Sequence, residues 1–230
     1  MTVRCASQAI ATGKPVFVCT DSDEIIDTCN AWSIAAIKTP EFQTGTDRCS
    51  WAAQELDAES IVILQGDEPL VDSLAIRSFY EQVEKQTSGD KPHTILNGLT
   101  RIGQAAAENQ NNVKALVGLD GRIMDLSRFA VKSQFEVSLA PSIAPHLMPG
   151  VGYLKQIGLY GGTSRCFKLF RSLPMCAVEQ ETRIEMLRWI FYGNRLQGIL
   201  MASPGISVDT EDDLREARRL AEEIDQSLSA

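Results

Sequence analysis

Two aspartates far apart in the chain carry the chemistry that the residue types and spacing suggest most directly. Asp67 stands in Gln65-Gly66-Asp67-Glu68-Pro69, directly after the apolar run Ile61-Val62-Ile63-Leu64. A short aliphatic run bounded by turn residues reads as a buried strand, and Gly66 and Pro69 stop it. Such a strand delivers an acidic pair to its carboxyl end, where open α/β sheets place their ligands. Asp209 likewise follows an apolar segment and precedes the acidic stretch Glu211-Asp212-Asp213. If both segments end at one sheet edge, the two carboxylates can hold Mg2+ against a triphosphate, because Mg2+ takes one or two carboxylates and fills its shell with phosphate oxygens and water. The same spacing also fits two aspartates that simply cap helices.

Thr44-Gly45-Thr46-Asp47-Arg48 is a glycine-containing turn that enters a helix. Free backbone N–H groups at Gly45 and the Arg48 guanidinium could hold an anion or nucleotide there; a plain turn with a capping Thr fits equally well. Neither G-x-G-x-x-G nor G-x-x-x-x-G-K-[ST] occurs, which argues against a dinucleotide or P-loop site. Tyr160 sits at the end of a predicted strand with Lys155 and Gln156 just before it, and Glu185 and Arg188 share one face of a predicted helix at i, i+3. These groups could line a sugar pocket, or be a core tyrosine and a surface ion pair. His93 and His146 lie far apart in loop-like sequence and read as ordinary surface residues.

The elements that must position these groups follow from periodicity. Strands are expected at 15–20, 34–38, 61–64, 94–99, 113–119, 157–160 and 196–201. Helices are expected after Asp21-Ser22-Asp23, after Thr44, and at 73–84, 164–172, 179–192 and 211–228, the last capped by Thr210. Residues 132–153 are rich in Ser, Pro and Gly and read as a long excursion. Strands alternating with helices predict an α/β fold with a doubly wound, mostly parallel sheet, in which residues from about 127 to 192 form an inserted lid or dimerisation lobe. The 230 residues suit a single domain, 1–230. A formal charge of −8 argues against nucleic-acid binding through a basic face. No apolar run reaches transmembrane length and no secretory pattern opens the sequence, so no membrane insertion and a cytoplasmic location are expected. The six cysteines show no C-x-x-C spacing and read as reduced, mostly buried thiols.

Taken in order, these pieces resemble the 3-deoxy-manno-octulosonate cytidylyltransferases, or CMP-KDO synthetases. The motifs that carry the resemblance are Cys19-Thr20-Asp21 (A-T-D in the family), Thr44-Gly45-Thr46-Asp47-Arg48 (S-G-T-[DE]-R) and Gln65-Gly66-Asp67-Glu68-Pro69-Leu70. They continue with Asn109-Gln110-Asn111-Asn112-Val113-Lys114 (N-P-N-x-V-K), Ser127-Arg128, Gln156-Ile157-Gly158-Leu159-Tyr160-Gly161 (H-[IL]-G-[IL]-Y-G), Glu185-Met186-Leu187-Arg188 (E-Q-L-R) and Val208-Asp209-Thr210-Glu211-Asp212-Asp213-Leu214 (V-D-T-P-E-D-L). The resemblance implies a nucleotide-diphospho-sugar transferase type of fold and a homodimer. It also implies a Mg2+-dependent reaction in which CTP and a 3-deoxy sugar acid give the CMP-sugar and pyrophosphate, for lipopolysaccharide or cell-surface polysaccharide synthesis. By the same resemblance Asp67 and Asp209 are the metal ligands and catalytic pair, Arg48, Gln65 and Gly45 serve the nucleotide, and Gln156, Tyr160, Glu185 and Arg128 serve the sugar acid.

The sequence departs from the family pattern in places. The family opens with a strand and a basic loop of the type P-A-R-x-x-S-T-R-L-P-G-K-P-L. Here Met1-Thr2-Val3 aligns with the helix after that loop, and Gly13-Lys14-Pro15 falls where the family enters its next strand. Gln156 stands in place of the family His, Gly162 where Tyr is frequent, and Cys176-Ala177-Val178-Glu179 in place of S-P-L-E. The missing loop motivates an alternative reading, a non-catalytic relative or truncated form that binds a nucleotide or a partner without turnover. A glycosyltransferase is a further alternative, with Asp21-Ser22-Asp23 as its D-x-D metal motif.

Overall fold

Short side-chain oxygens open several of the helices at strand-to-helix turns. The computed structural model describes residues 1–87, 93–135, 150–202 and 206–228. The first half alternates α1 (Thr2–Ile10), β1 (Val18–Thr20), α2 (Asp23–Ala31), β2 (Ala36–Lys38), α3 (Gly45–Glu55), β3 (Ser60–Leu64) and α4 (Ser73–Thr87). There follow β4 (Thr94–Ile102), α5 (Gln104–Glu108), β5 (Lys114–Val117), β6 (Ile123–Ser127), β7 (Ser133–Phe135) and β8 (Gly150–Thr163). The chain then runs through α6 (Ser164–Ser172), α7 (Ala177–Thr182), α8 (Met186–Phe191), β9 (Arg195–Leu200) and α9 (Glu211–Leu228). Ser22, Thr44 and Thr163 cap α2, α3 and α6 by accepting from the N–H of Ile25, Asp47 and Cys166. Asp72 caps α4 through the N–H of Ala75 at 2.8 Å. Each cap answers one of the backbone donors that a helix start leaves open.

β8 organises the main sheet. One edge pairs antiparallel with β4, and the opposite edge takes β5 at Lys155 and then β3 from Leu159 to Thr163. β9 lies parallel to β4, which makes the order β6-β5-β8-β4-β9 with β3 against β8. β3, β4 and β9 therefore share one direction, and β8 is the reversed strand among them. β1 and β2 form a separate parallel pair, attached through a small cluster of Ala6, Cys29 and Ile34. The span 127–192, expected as an inserted lobe, supplies this central strand and the helices α6 and α8 that cover it, so that part of it is core rather than lid. β8 begins at Gly150, inside the expected excursion, because Leu154 and Ile157 bury fully and draw the strand into the sheet. Residues 136–149 of that excursion, with His146, lie outside the described residues.

The sheet buries both faces, as a doubly wound fold requires. Ile95 and Leu99 of β4, Ile63 of β3 and Tyr160 of β8 pack on one face with Phe167, Phe170, Leu187 and Trp189 from α6 and α8. Leu96, Ile157 and Leu159 face the other way, against Ile76, Phe79 and Val83 of α4. Among the described residues no helix is long and apolar enough to cross a membrane.

Where β4 meets β8 the register slips between Asn97 and Leu99. Carbonyls stranded by such a slip need other donors. The fully buried Asn97 amide supplies them, donating to the carbonyls of Ile157 at 2.9 Å and Leu159 at 3.1 Å. Further along β8, α4 packs so closely that a Cβ on Gly161 would stand 2.9 Å from Phe79 Cε1 and closer still to Val83. Gly161→Ala is therefore expected to destabilise the fold by about 1–3 kcal/mol, the cost of overpacking a filled core, read as a lower urea midpoint with unchanged m-value.

Candidate active site

The turn after β3 begins at the last rung of its ladder, where Gln65 N–H donates to the Gly158 carbonyl at 2.8 Å. Two residues on, the Asp67 carbonyl accepts the N–H of Val208 at 2.9 Å. That bond lays the segment before α9 along the β3 turn and brings Asp209 next to Asp67. The helix-cap reading of the two aspartates gives way here, because other residues do that work. α9 is capped by Thr210 and Asp213, which exchange bonds: Asp213 N–H donates to Thr210 Oγ1 at 3.2 Å, and Thr210 N–H donates to Asp213 Oδ2 at 2.8 Å. α4 is capped by Asp72. Asp67 Oδ1 is buried and has no hydrogen-bond partner, a costly state for a carboxylate. Burial pushes the Asp67 carboxyl up, and the nearby Asp209 charge adds to the rise.

Beside these acids stand Glu68, Lys155 and Ser207. Glu68 is 3 % exposed, and burial pushes its carboxyl up to about 7. Lys155, also 3 % exposed, has its ammonium pulled down by burial and held up by Glu68, Asp209, Asp67 and Asp213. The sequence offered Lys155 only as a polar group beside Gln156 that could line a sugar pocket; nothing in its spacing announces a buried lysine facing carboxylates. Among the described residues no group of three or more His, Cys, Asp or Glu could hold a metal. Two hard carboxylates with one unsatisfied oxygen suit an ion that takes its remaining ligands from substrate and water, as Mg2+ does.

A second group gathers at the start of α3. Glu185 accepts from Thr46 Oγ1 at 2.8 Å, from Thr46 N–H at 3.3 Å and from Gln65 Nε2 at 2.7 Å. A Cβ on Gly45 would lie 3.9 Å from the same Gln65 nitrogen. The structure thus joins Gly45, Gln65 and Glu185, and Glu185 is the anion that the helix start holds. The expected helix over 179–192 is broken in two. Arg183 adopts a left-handed conformation, φ 56°, at the end of α7, and Glu185 falls between the helices. The i, i+3 pairing with Arg188 therefore does not form. Arg188, 3 % exposed, instead holds Asp47 on one side at 3.0 and 3.1 Å and Glu179 on the other at 2.7–3.1 Å, with its guanidinium 4.4 Å from the Phe170 ring centroid.

The remaining expected residues have well-defined places. Arg48 grips Asp21 at 2.7 and 2.8 Å and reaches Thr39, at the carboxyl ends of β1 and β2. Asp23 pairs with Lys38 and Ser22 caps α2. All three residues of the Asp21-Ser22-Asp23 string are thus occupied, which does not favour the D-x-D reading. Gln156 Nε2 donates to Asn97 Oδ1 at 2.7 Å and completes the repair of the register slip. Tyr160 is buried in the core, with Glu185, Asp67 and Glu68 near enough to help push its phenol up. Arg128 spends its donors on the carbonyls of Thr182 at 2.7 Å and Gln110 at 3.0 Å. Lys114, the last residue of the Asn109–Lys114 motif, is bound by the carbonyls of Asn109, Asn112 and Arg128.

The Asp47–Arg188–Glu179 triad fixes α3 against α7 and α8, and so sets the frame for Gln65 and Glu185. Arg188→Leu is expected to lower stability by about 3–5 kcal/mol, because it leaves two buried carboxylates without their cation. Urea unfolding measures this loss, and Arg188→Lys should recover little of it, since an ammonium cannot bridge two carboxylates bidentately.

Known proteins share this fold. A family profile described as cytidylyltransferase matches residues 1–197. The chain is 32% identical over 218 residues to the 3-deoxy-manno-octulosonate cytidylyltransferase of Flavobacterium johnsoniae, covering 91% of this chain and 82% of that protein. It is 28% identical over 206 residues to the enzyme of the same name from Christiangramia forsetii, covering 89% and 79%. A solved structure of CMP:2-keto-3-deoxy-manno-octonic acid synthetase complexed with CTP matches with a TM-score of 0.78 at 23% identity, over 96% of this chain and 87% of that one. At that identity the structural likeness speaks for the fold, which is of the nucleotide-diphospho-sugar transferase type. With sequence and fold in agreement over most of its length, the chain belongs to the cytidylyltransferases, in the 3-deoxy-manno-octulosonate cytidylyltransferase family.

Proposed function

We propose that this chain transfers the cytidylyl group of CTP to 3-deoxy-manno-octulosonate, with Mg2+ as the metal that Asp67 and Asp209 hold. The observation that carries the reading is the meeting of these two aspartates through the Val208 N–H to Asp67 O bond, with Asp67 Oδ1 buried and unpaired. In the reaction the anomeric hydroxyl oxygen of the sugar acid bonds to the α-phosphorus. The bond to the β-phosphate oxygen breaks, pyrophosphate leaves with its electron pair, and the hydroxyl proton passes to solvent water. Bound Mg2+ supplies charge neutralisation at the triphosphate and withdraws charge from the α-phosphate.

The chain's own groups do the positioning. Asp67 and Asp209 fix the ion's place at the edge of the sheet. Lys155 brings a positive charge beside them, which eases the approach of a polyanion to an acidic protein. Gln65 and Gly45 line the nucleotide side and Arg48 flanks it. Glu185, Tyr160 and Gln156 lie on the side assigned to the sugar acid, with Arg128 further out. A homodimer, a cytoplasmic location and a role in lipopolysaccharide or cell-surface polysaccharide synthesis accompany this reading as proposals from the family.

The test is pyrophosphate release from CTP and 3-deoxy-manno-octulosonate with and without Mg2+. Release is expected only with the metal, and Asp67→Asn should lower kcat/KM at least about a hundredfold, the scale of losing one electrostatic stabiliser. CTP binding by calorimetry without any release would instead favour the non-catalytic relative.

A further inference from the structure

Asp67 and Asp209 come from distant parts of the sequence, and the main-chain bond between Val208 and Asp67 is their direct link. One such bond contributes little net stability, and the segment it holds would lose backbone freedom on being fixed. A second set of contacts holds the same segment. Glu68 turns inward from the β3 turn, and its Oε1 accepts the Gly158 N–H at 2.8 Å and the Ser207 hydroxyl at 2.7 Å. Ser207 Oγ accepts in turn from Lys155 Nζ at 3.1 Å. Gly158 and Lys155 both belong to β8, so a buried carboxylate and a buried ammonium are joined across the Ser207 hydroxyl, two residues before Asp209. Gly158 leaves room for this: a Cβ there would stand 3.1 Å from Glu68 Cγ and 2.9 Å from Gln65 Cβ.

We propose that Glu68 and Ser207 are positioning residues, which fasten the 206–209 segment to β8 and to the β3 turn and thereby hold Asp209 at the spacing from Asp67 that a shared ion needs. The proposal rests on the metal reading above. Glu68 Oε1 is committed to the two donors. Outer residues that orient metal ligands in this way typically govern affinity about 10–100-fold.

The test uses the full chain with CTP, Mn2+ as the probe, and water-proton relaxation to measure the protein-bound metal. Ser207→Ala should weaken Mn2+ binding about tenfold, while CTP affinity without metal and the thermal midpoint stay close to those of the unsubstituted protein. Ser207→Thr, which restores the hydroxyl, should recover most of the Mn2+ affinity. Unchanged Mn2+ binding in Ser207→Ala, with binding lost in Asp67→Asn, overturns the positioning role and leaves the metal reading standing. Mn2+ binding that survives Asp67→Asn overturns the metal reading, and the positioning proposal falls with it. A parallel loss of thermal midpoint, CTP affinity and Mn2+ affinity in Ser207→Ala overturns the specific role in favour of general support of the fold.

Discussion

Strand β8 has to satisfy both of its edges and both of its faces, and the rest of the molecule is arranged around that requirement. Its edges are taken by β4 on one side and by β5 and β3 on the other. Its apolar side chains divide between two cores. From Leu154 to Gly162 the strand is buried, so its polar groups there must find partners inside the protein. Those partners are the site. Lys155 meets Ser207 and the carboxylates, Gln156 meets Asn97, and the backbone of Gly158 meets Gln65 and Glu68. Glycines at 158 and 161 are what allow neighbours to approach closely enough for this.

Charge is handled differently in the two halves of the site. Around α3, Arg188 sits between Asp47 and Glu179 with bidentate geometry and low exposure, a closed arrangement with little left to offer a ligand. At the carboxyl end of β3 the balance is open. Asp67, Glu68, Asp209 and Asp213 surround Lys155, and an Asp67 oxygen remains without a donor. The first arrangement builds rigidity, and the second leaves a buried carboxylate oxygen unpaired.

The departures from the family pattern acquire physical content in this frame. Glutamine at 156 commits its amide nitrogen to Asn97, within a sheet repair that an imidazole at the same position would have to make with a differently shaped donor. Glycine at 162 faces the Thr94 carbonyl at 3.2 Å from where its Cβ would be, so a tyrosine there would require β4 and β8 to part slightly. Both of these departures lie on β8. The β3 turn and the segment before α9 keep the family's acidic residues.

Sequence alone determined what depends on short-range pattern. The β3 run, its abrupt end, the cap at Thr210 and the α/β alternation follow from side-chain periodicity and turn chemistry, which act within a few residues. The ordered motifs identified the family, and with it the expectation that Asp67 pairs with Asp209. What the sequence did not determine is which groups face one another once the chain closes. The strand at 150–153 fell within the expected excursion because its glycines weaken the local signal, and pairing with β7 and β4 makes it a strand. The helix over 179–192 looked continuous because Arg183 carries no mark of its left-handed turn, yet that turn sends Glu185 to Thr46 and leaves Arg188 to Asp47 and Glu179. Lys155, Ser207 and Glu68 acquire their relation to one another from contacts between residues 52 to 139 positions apart. Tertiary structure decides such contacts, because the cost of burying a charge is set by what surrounds it in space and not by its neighbours along the chain.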